Sequence, residues 1–81
     1  MLMMQPSFDR QIDITADICP MTFVRTRLAL DTLAAGQTLL VRLKGVEPLR
    51  NVPRSAAALG HQELHRETDA DGATLLWLRH S

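Results

Sequence analysis

Cys19 is the one cysteine of the chain, and Pro20 follows it directly. Proline is favoured as the first residue of a helix, because the N–H that it lacks would have no partner there. The sequence therefore predicts a helix that begins at Pro20, with Cys19 as its N-cap. The free N–H groups and the dipole of a helix start stabilise an anion, so a cysteine there can act as a nucleophilic thiolate. The alternative interpretation is that Cys19 is an unreactive residue that packs in the core like a small hydrophobic side chain.

A single thiol restricts the chemistry. It cannot run a dithiol–disulfide cycle within one chain, but it can attack a substrate, form a mixed disulfide with a partner, or carry sulfur as a persulfide. The three histidines, His61, His65 and His80, all occur late in the sequence, so nothing places a catalytic base beside Cys19. On a strand, His61 and His65 would share a face but offer too few ligands. We therefore predict no metal site and no cofactor.

Charge and composition exclude several classes of partner. The 81 residues include nine basic and nine acidic side chains, which cancel. Nucleic-acid binders usually carry a basic excess, so direct nucleic-acid binding is not predicted. No run approaches the ~20 apolar residues of a membrane span, and residues 1–6 lack the basic region of a signal peptide. Together with the unpaired thiol, these features predict a cytoplasmic protein.

The hydrophobic pattern predicts the element order β-α-β-α-β-β. Strands are predicted at residues 9–15, 38–44, 61–68 and 73–80, and helices at residues 20–33 and, after Asn51 as N-cap, 52–59. Right-handed crossovers would place both helices on the same face of one sheet. We therefore predict an α/β fold, a two-layer sandwich with a four-stranded mixed sheet and two helices on one face. Residues 1–8 are predicted to form a flexible tail, and residues 9–81 a single domain.

The other sheet face is predicted to be open. In the last strand Leu76 and Leu78 point one way, which leaves Leu75 and Trp77 to point the other. With Leu40 from the second strand they would form an apolar surface patch. Such a patch could dock a partner protein or a second copy of the chain, as in a weak homodimer.

The combined motifs resemble one protein family. Ile18 to Thr22 reads I-C-P-M-T, and Gly36 to Val41 reads G-Q-T-L-L-V. This resembles the TusA/SirA-like sulfur-carrier family, whose signature is a strand, a C-P-x-P motif opening the first helix, a glycine, and a second strand of the L-x-V type. Asn51 to Pro53 resembles the opening of that family's second helix, and Gly60 falls where that helix ends. The resemblance covers about residues 9–80.

The resemblance implies a cytoplasmic sulfurtransferase or sulfur carrier. Cys19 would accept sulfur as a persulfide from a donor such as a cysteine desulfurase or rhodanese. It would pass the sulfur to an acceptor protein in tRNA thiolation, cofactor synthesis or sulfur metabolism. The chain departs from the motif at Thr22, where the family has its second proline. Pro20 would set the helix start, Thr22 would contribute to the anion-binding turn, and Arg25 and Arg27 would steer an acidic partner or stabilise charge near the thiol.

A second function remains open at this stage. The same fold could serve as a non-catalytic regulatory or protein-interaction module. Cys19 would then contribute packing or redox sensing, and the open sheet face would hold the partner. An RNA-binding module is disfavoured, because the net charge is zero and few aromatic residues are available for base stacking.

Overall fold

A computed structural model describes residues 7–81. Residues 1–6 of the predicted tail lie outside the described residues, so that part of the prediction has no structural counterpart. The strands are β1 (Arg10–Asp13), β2 (Thr38–Leu43), β3 (Gln62–Thr68) and β4 (Thr74–Arg79), and the helices are α1 (Met21–Asp31) and α2 (Val46–Ala58). The predicted element order is therefore the observed one. Within residues 7–81, no helix has both the length and the apolar character needed to cross a bilayer.

The four strands form one mixed sheet in the order β1-β2-β4-β3. Strands β1 and β2 are parallel, so a crossover through α1 joins them, while β4 runs antiparallel to both of its neighbours. Because β1 and β2 point the same way, α1 and α2 both begin near the same end of the sheet. This end carries Cys19.

The core lies between the sheet and the helix layer. Alternate residues of β2, namely Leu39, Val41 and Leu43, are fully buried there. Leu30 of α1 and Val52 of α2 pack into the same cluster, which places both helices on one sheet face. The predicted two-layer sandwich is confirmed, because one apolar strand face buries itself against two helical stripes.

The second helix begins earlier than predicted. Residues 45–50 were predicted to be a loop with Asn51 as the N-cap, but α2 begins at Val46 after Gly45, whose φ is 109°. Pro48 falls in the first helical turn, where backbone N–H groups need no intrahelical partner, so it does not break the helix. Pro53 then lies inside the helix rather than at its start. The prediction was wrong because Pro48 was taken as a loop residue.

The predicted apolar patch on the helix-free face is also wrong. Trp77 is fully buried and Leu40 is 5% exposed, so neither offers a docking surface. The strand register places Leu40 and His65 on either side of Trp77. The His65 ring packs edge-on against the Trp77 ring at 5.1 Å between centroids, and it contributes to this burial. The interaction-module hypothesis thus loses the surface on which it rested.

Charged side chains occupy much of the same face. Arg42 lies beside Leu40 in β2, and its guanidinium reaches Asp13, Asp69 and Asp71 at 3.0, 2.9 and 3.3 Å. These contacts tie β1 and the β3–β4 turn to the middle of the sheet. The helix-free face is therefore a network of paired charges around buried apolar residues rather than an apolar surface.

Candidate functional site

Two tight turns carry the chain from β1 to Cys19. Ile14 is almost fully buried and anchors the start of this connection. The N–H of Asp17 donates to the Ile14 carbonyl at 3.0 Å, and the N–H of Met21 donates to the Ile18 carbonyl at 2.8 Å. Cys19 lies within the second turn and is partly exposed. A cysteine held this way is fixed in place yet accessible to a reaction partner.

Helix α1 begins one residue later than predicted. Its first residue is Met21, its N-cap is Pro20, and no side chain caps it. The Cys19–Pro20 peptide bond is cis. Cys19 therefore precedes the N-cap position, and the prediction that it is the N-cap was wrong. The difference arises because Pro20, with φ −89° and ψ 3°, does not have helical backbone angles.

The first turn of α1 still offers backbone donors. The N–H of Val24 is the first to make the helical bond four residues back, to the carbonyl of Pro20 at 3.0 Å. For the N–H groups of Thr22 and Phe23, no acceptor is found between residues 7 and 81. Unpaired donors of this kind give a helix start its affinity for anions.

The side chain of Thr22 meets the sulfur of Cys19. The Oγ1 of Thr22 lies 3.1 Å from the Sγ of Cys19, and either atom can donate while the thiol is protonated. Thr22 is fully buried, and so is Thr26 one turn later. The Thr26 hydroxyl donates instead to the carbonyl of Thr22, at 2.8 Å. Two buried threonines thus stand on one helix face, and one of them contacts the thiol.

The two predicted arginines have different surroundings. The Nη1 of Arg25 pairs with the Oδ2 of Asp17 and also donates to the carbonyl of Asp13 at 3.3 Å. Arg25 therefore fastens α1 to the connection that holds Cys19. Arg27 is exposed, and no hydrogen bond or ion pair is found for it among residues 7–81. Among residues 7–81, neither arginine makes a hydrogen bond to the sulfur of Cys19.

Exposed apolar side chains lie close to the thiol in sequence and at the same end of the sheet. Ile18 is 81% exposed, Met21 is 48% exposed, and Val46 at the start of α2 is 79% exposed. Sequence analysis missed this surface, since it placed Val46 in a loop. The signal was nevertheless present, because Ile18 and Met21 flank the Cys-Pro pair. Exposed apolar groups beside a reactive residue are typical of a protein–protein contact.

The histidines belong to other parts of the sheet. The rings of His61 and His80 are tilted against each other, with 4.6 Å between their centroids. Burial, and then the neighbouring His80, lowers the pKa of His61. His65 lies 3.0 Å from Glu67. His65 lies in β3, His61 directly precedes that strand and His80 directly follows β4. No hydrogen bond or ring contact joins these histidines to Cys19 within residues 7–81. In the same range, no group of three or more potential ligands is placed to hold a metal ion.

Comparison with known proteins supplies the family. The model of the family described as "Sulfurtransferase TusA" matches residues 10–80. A protein of Archaeoglobus fulgidus, named "Putative sulfur carrier protein", is 38% identical over 56 residues, which is 69% of this chain and 64% of that relative's length. The crystal structure of a SirA-like protein from Desulfitobacterium hafniense has the same fold, with a TM-score of 0.78, 22% identity, and coverage of 88% of this chain and 96% of that one. The family match spans nearly all of the described residues, and this chain belongs to the TusA sulfurtransferase family.

Proposed function

We propose that this protein carries sulfur as a persulfide on Cys19, between a donor protein and an acceptor protein. The observation that carries the proposal is the partly exposed thiol of Cys19, 3.1 Å from a buried hydroxyl at the start of α1, in a chain of the TusA family. The name of the archaeal relative supports the same role.

The chemistry is a thiol exchange in two steps. In loading, the Cys19 thiolate attacks the outer sulfur of a donor persulfide, a new S–S bond forms, and the donor cysteine leaves as a thiolate. In discharge, an acceptor thiolate attacks the outer sulfur now bound to Cys19, and Cys19 leaves in turn. Electrons and atoms balance at each step, so neither step needs a cofactor or an oxidant.

The surroundings of Cys19 suit each part of this cycle. Pro20 sets the start of α1, and the free first-turn donors favour an anionic sulfur. Arg25 acts indirectly, since its pair with Asp17 holds the Cys19 connection against the helix. Arg27 is an exposed cation that would meet an acidic partner surface.

Partner docking would use the end of the sheet where both helices begin. The exposed side chains of Ile18, Met21 and Val46 would contact the donor or the acceptor around the thiol. A cysteine desulfurase or a rhodanese fits the donor role, because each presents a protein-bound persulfide. A reducing compartment keeps an unpaired cysteine such as Cys19 as a free thiol that can be loaded, which supports a cytoplasmic relay feeding tRNA thiolation, cofactor synthesis or sulfur metabolism.

Intact mass spectrometry tests the proposal. The wild-type protein and the Cys19→Ser variant are incubated with a cysteine desulfurase and cysteine, and a parallel pair is incubated with a rhodanese and thiosulfate. We expect the wild type to gain one sulfur atom that a reductant removes, and the variant to gain none. Wild-type protein that gains no sulfur from either donor, while its thiol is also slow to alkylate, would contradict the sulfur-carrier role.

A further inference from the structure

The buried hydroxyl of Thr22 has an unusual partner. Its side chain is fully buried, and the contact found for its Oγ1 between residues 7 and 81 is the Cys19 sulfur at 3.1 Å. The Thr26 hydroxyl is equally buried but is satisfied by a backbone carbonyl. A buried hydroxyl without a partner is costly, so the contact with Cys19 is part of what allows Thr22 to be buried here.

The charge on the sulfur decides the direction of this hydrogen bond. When Cys19 is a neutral thiol, either group can donate. A thiolate has no proton, so Thr22 must then be the donor. Hydrogen bonds to a charged acceptor are stronger than those between neutral groups. The contact is therefore strongest when negative charge develops on the sulfur.

This inference rests on the proposed function and assigns a role within it. We propose that the Thr22 hydroxyl donates a hydrogen bond to the Sγ of Cys19 as it leaves during sulfur discharge. An acceptor nucleophile bonds to the outer sulfur, the S–S bond to Cys19 breaks, and its electron pair stays on Sγ. Thr22 stabilises that new negative charge. Proline, the family residue at this position, has no side-chain donor.

Loading and discharge depend differently on this contact. Stabilising a thiolate makes it a better leaving group but a weaker nucleophile. Discharge therefore gains from Thr22, whereas loading does not gain in the same way, because a hydrogen-bonded thiolate is a weaker nucleophile. The hydroxyl thus biases the carrier towards giving up its sulfur.

Cyanide is a suitable acceptor for the test, because it attacks the outer sulfur and leaves as thiocyanate, which is measured by colour with iron(III). Wild type, Thr22→Val, Thr22→Ser and Thr26→Val are loaded to equal persulfide content, and thiocyanate release is followed. We expect Thr22→Val to slow release about threefold to tenfold. Thr22→Ser keeps the hydroxyl and should stay within about twofold of wild type. Thr26→Val is the matched control and should match wild type.

Alkylation of the unloaded thiol by iodoacetamide gives a readout that does not depend on sulfur loading. Thr22→Val should shift the pH dependence of the rate to higher pH, and Thr22→Ser should restore it. Thr22→Ala serves in the same role if the valine variant does not fold.

If Thr22→Val released thiocyanate as fast as wild type and was also alkylated as fast as wild type, the role of Thr22 would be overturned, while the proposed function would stand. A slowing by Thr26→Val as large as that by Thr22→Val would overturn it too, since the effect would then be structural. A wild type that cannot be loaded at all would overturn the proposed function, while the alkylation series would still decide whether the hydroxyl acts on the sulfur.

Discussion

The two helices begin at the same end of the sheet, but their first turns differ in charge. The first turn of α1 contains no acidic residue, whereas that of α2 contains Glu47. The second helical residue is Thr22 in α1 and Glu47 in α2. In α2 the carboxylate of Glu47 interacts with the positive end of the helix dipole, whereas in α1 that end remains free to interact with another anion. A helix start is therefore not a site by itself, and the residues around it decide what it can hold.

The connections into the two helices differ as well. Seven residues, 14–20, join β1 to α1, but only two, 44 and 45, join β2 to α2. The longer connection makes room for the turn that presents Cys19 and for the Asp17–Arg25 pair that holds it. The shorter one turns directly through Gly45 with a φ of 109°. The longer β1–α1 connection therefore has room to present the thiol of Cys19, which the β2–α2 connection does not.

Moving the thiol from one helix start to the other should have the largest effect. In the double variant Cys19→Ser with Val46→Cys, sulfur loading by a cysteine desulfurase should fall about a hundredfold, because the thiol loses its orientation and lies beside Glu47. Intact mass after a fixed incubation measures this. Wild type and Cys19→Ser are the reference points, and loading of the double variant at the wild-type rate would contradict the importance of the α1 setting.

Giving α1 an acidic first turn should have a smaller effect. Met21→Glu places a carboxylate at an exposed position beside the thiol, and it should slow alkylation of Cys19 about twofold to fivefold at low salt. Met21→Gln is the matched neutral control. The same change should slightly raise thermal stability, because the carboxylate complements the dipole. Faster alkylation of the glutamate variant than of the glutamine variant would refute the electrostatic argument.

Breaking the Arg25–Asp17 pair tests the hold on the longer connection. Arg25 is 43% exposed at its side chain, so Arg25→Met should lower the free energy of unfolding by only about 0.2–1 kcal/mol. Chemical denaturation at low and high salt measures the loss, which should shrink as salt screens the pair. Arg27→Met is the control, because no ion pair is found for Arg27 among residues 7–81. An equal loss in both variants would show that the pair contributes nothing specific.

Low pH should destabilise the protein through Asp13, at the start of the β1–α1 connection, and through Asp69. This is the smallest of the four predicted effects. Hydrogen bonds from the side chain and N–H of Thr15 lower the pKa of Asp13 below 3.8, and Arg42 lowers that of Asp69. A lowered folded-state pKa contributes stability above the unfolded value, and that stability is lost as pH falls through the folded value. The melting temperature should therefore drop below about pH 4. Asp13→Asn should flatten this acid limb, and an unchanged slope would count against the assignment.

Local sequence patterns accounted for most of the fold. The alternation in β2 and β4 and the Asp71–Gly72 turn specify strands without help from distant residues, and the element order followed from them. The start of α2 could not be placed, because Pro48 is compatible with both a loop and a first helical turn. The burial of Trp77 was also missed, since alternation shows which face a side chain occupies and not what covers it.

Some features of the candidate site were also predictable from the sequence, and others were not. Cys19, Pro20 and Thr22 were identified from a short motif, because their spacing along the chain is the signal. Whether Arg25 approaches the thiol could not be read from spacing, and the structure shows it engaged by Asp17 instead.

The sequence by itself determined the element order, the family and the candidate nucleophile, because each depends on neighbouring residues or on a short spacing. Only the tertiary structure decided that the Thr22 hydroxyl meets the sulfur, that Trp77 is buried, and that Ile18 and Val46 lie exposed at one end of the sheet. These features depend on how α1 and α2 seat on the sheet. Contacts of that kind join side chains whose directions are set by packing and not by local propensity.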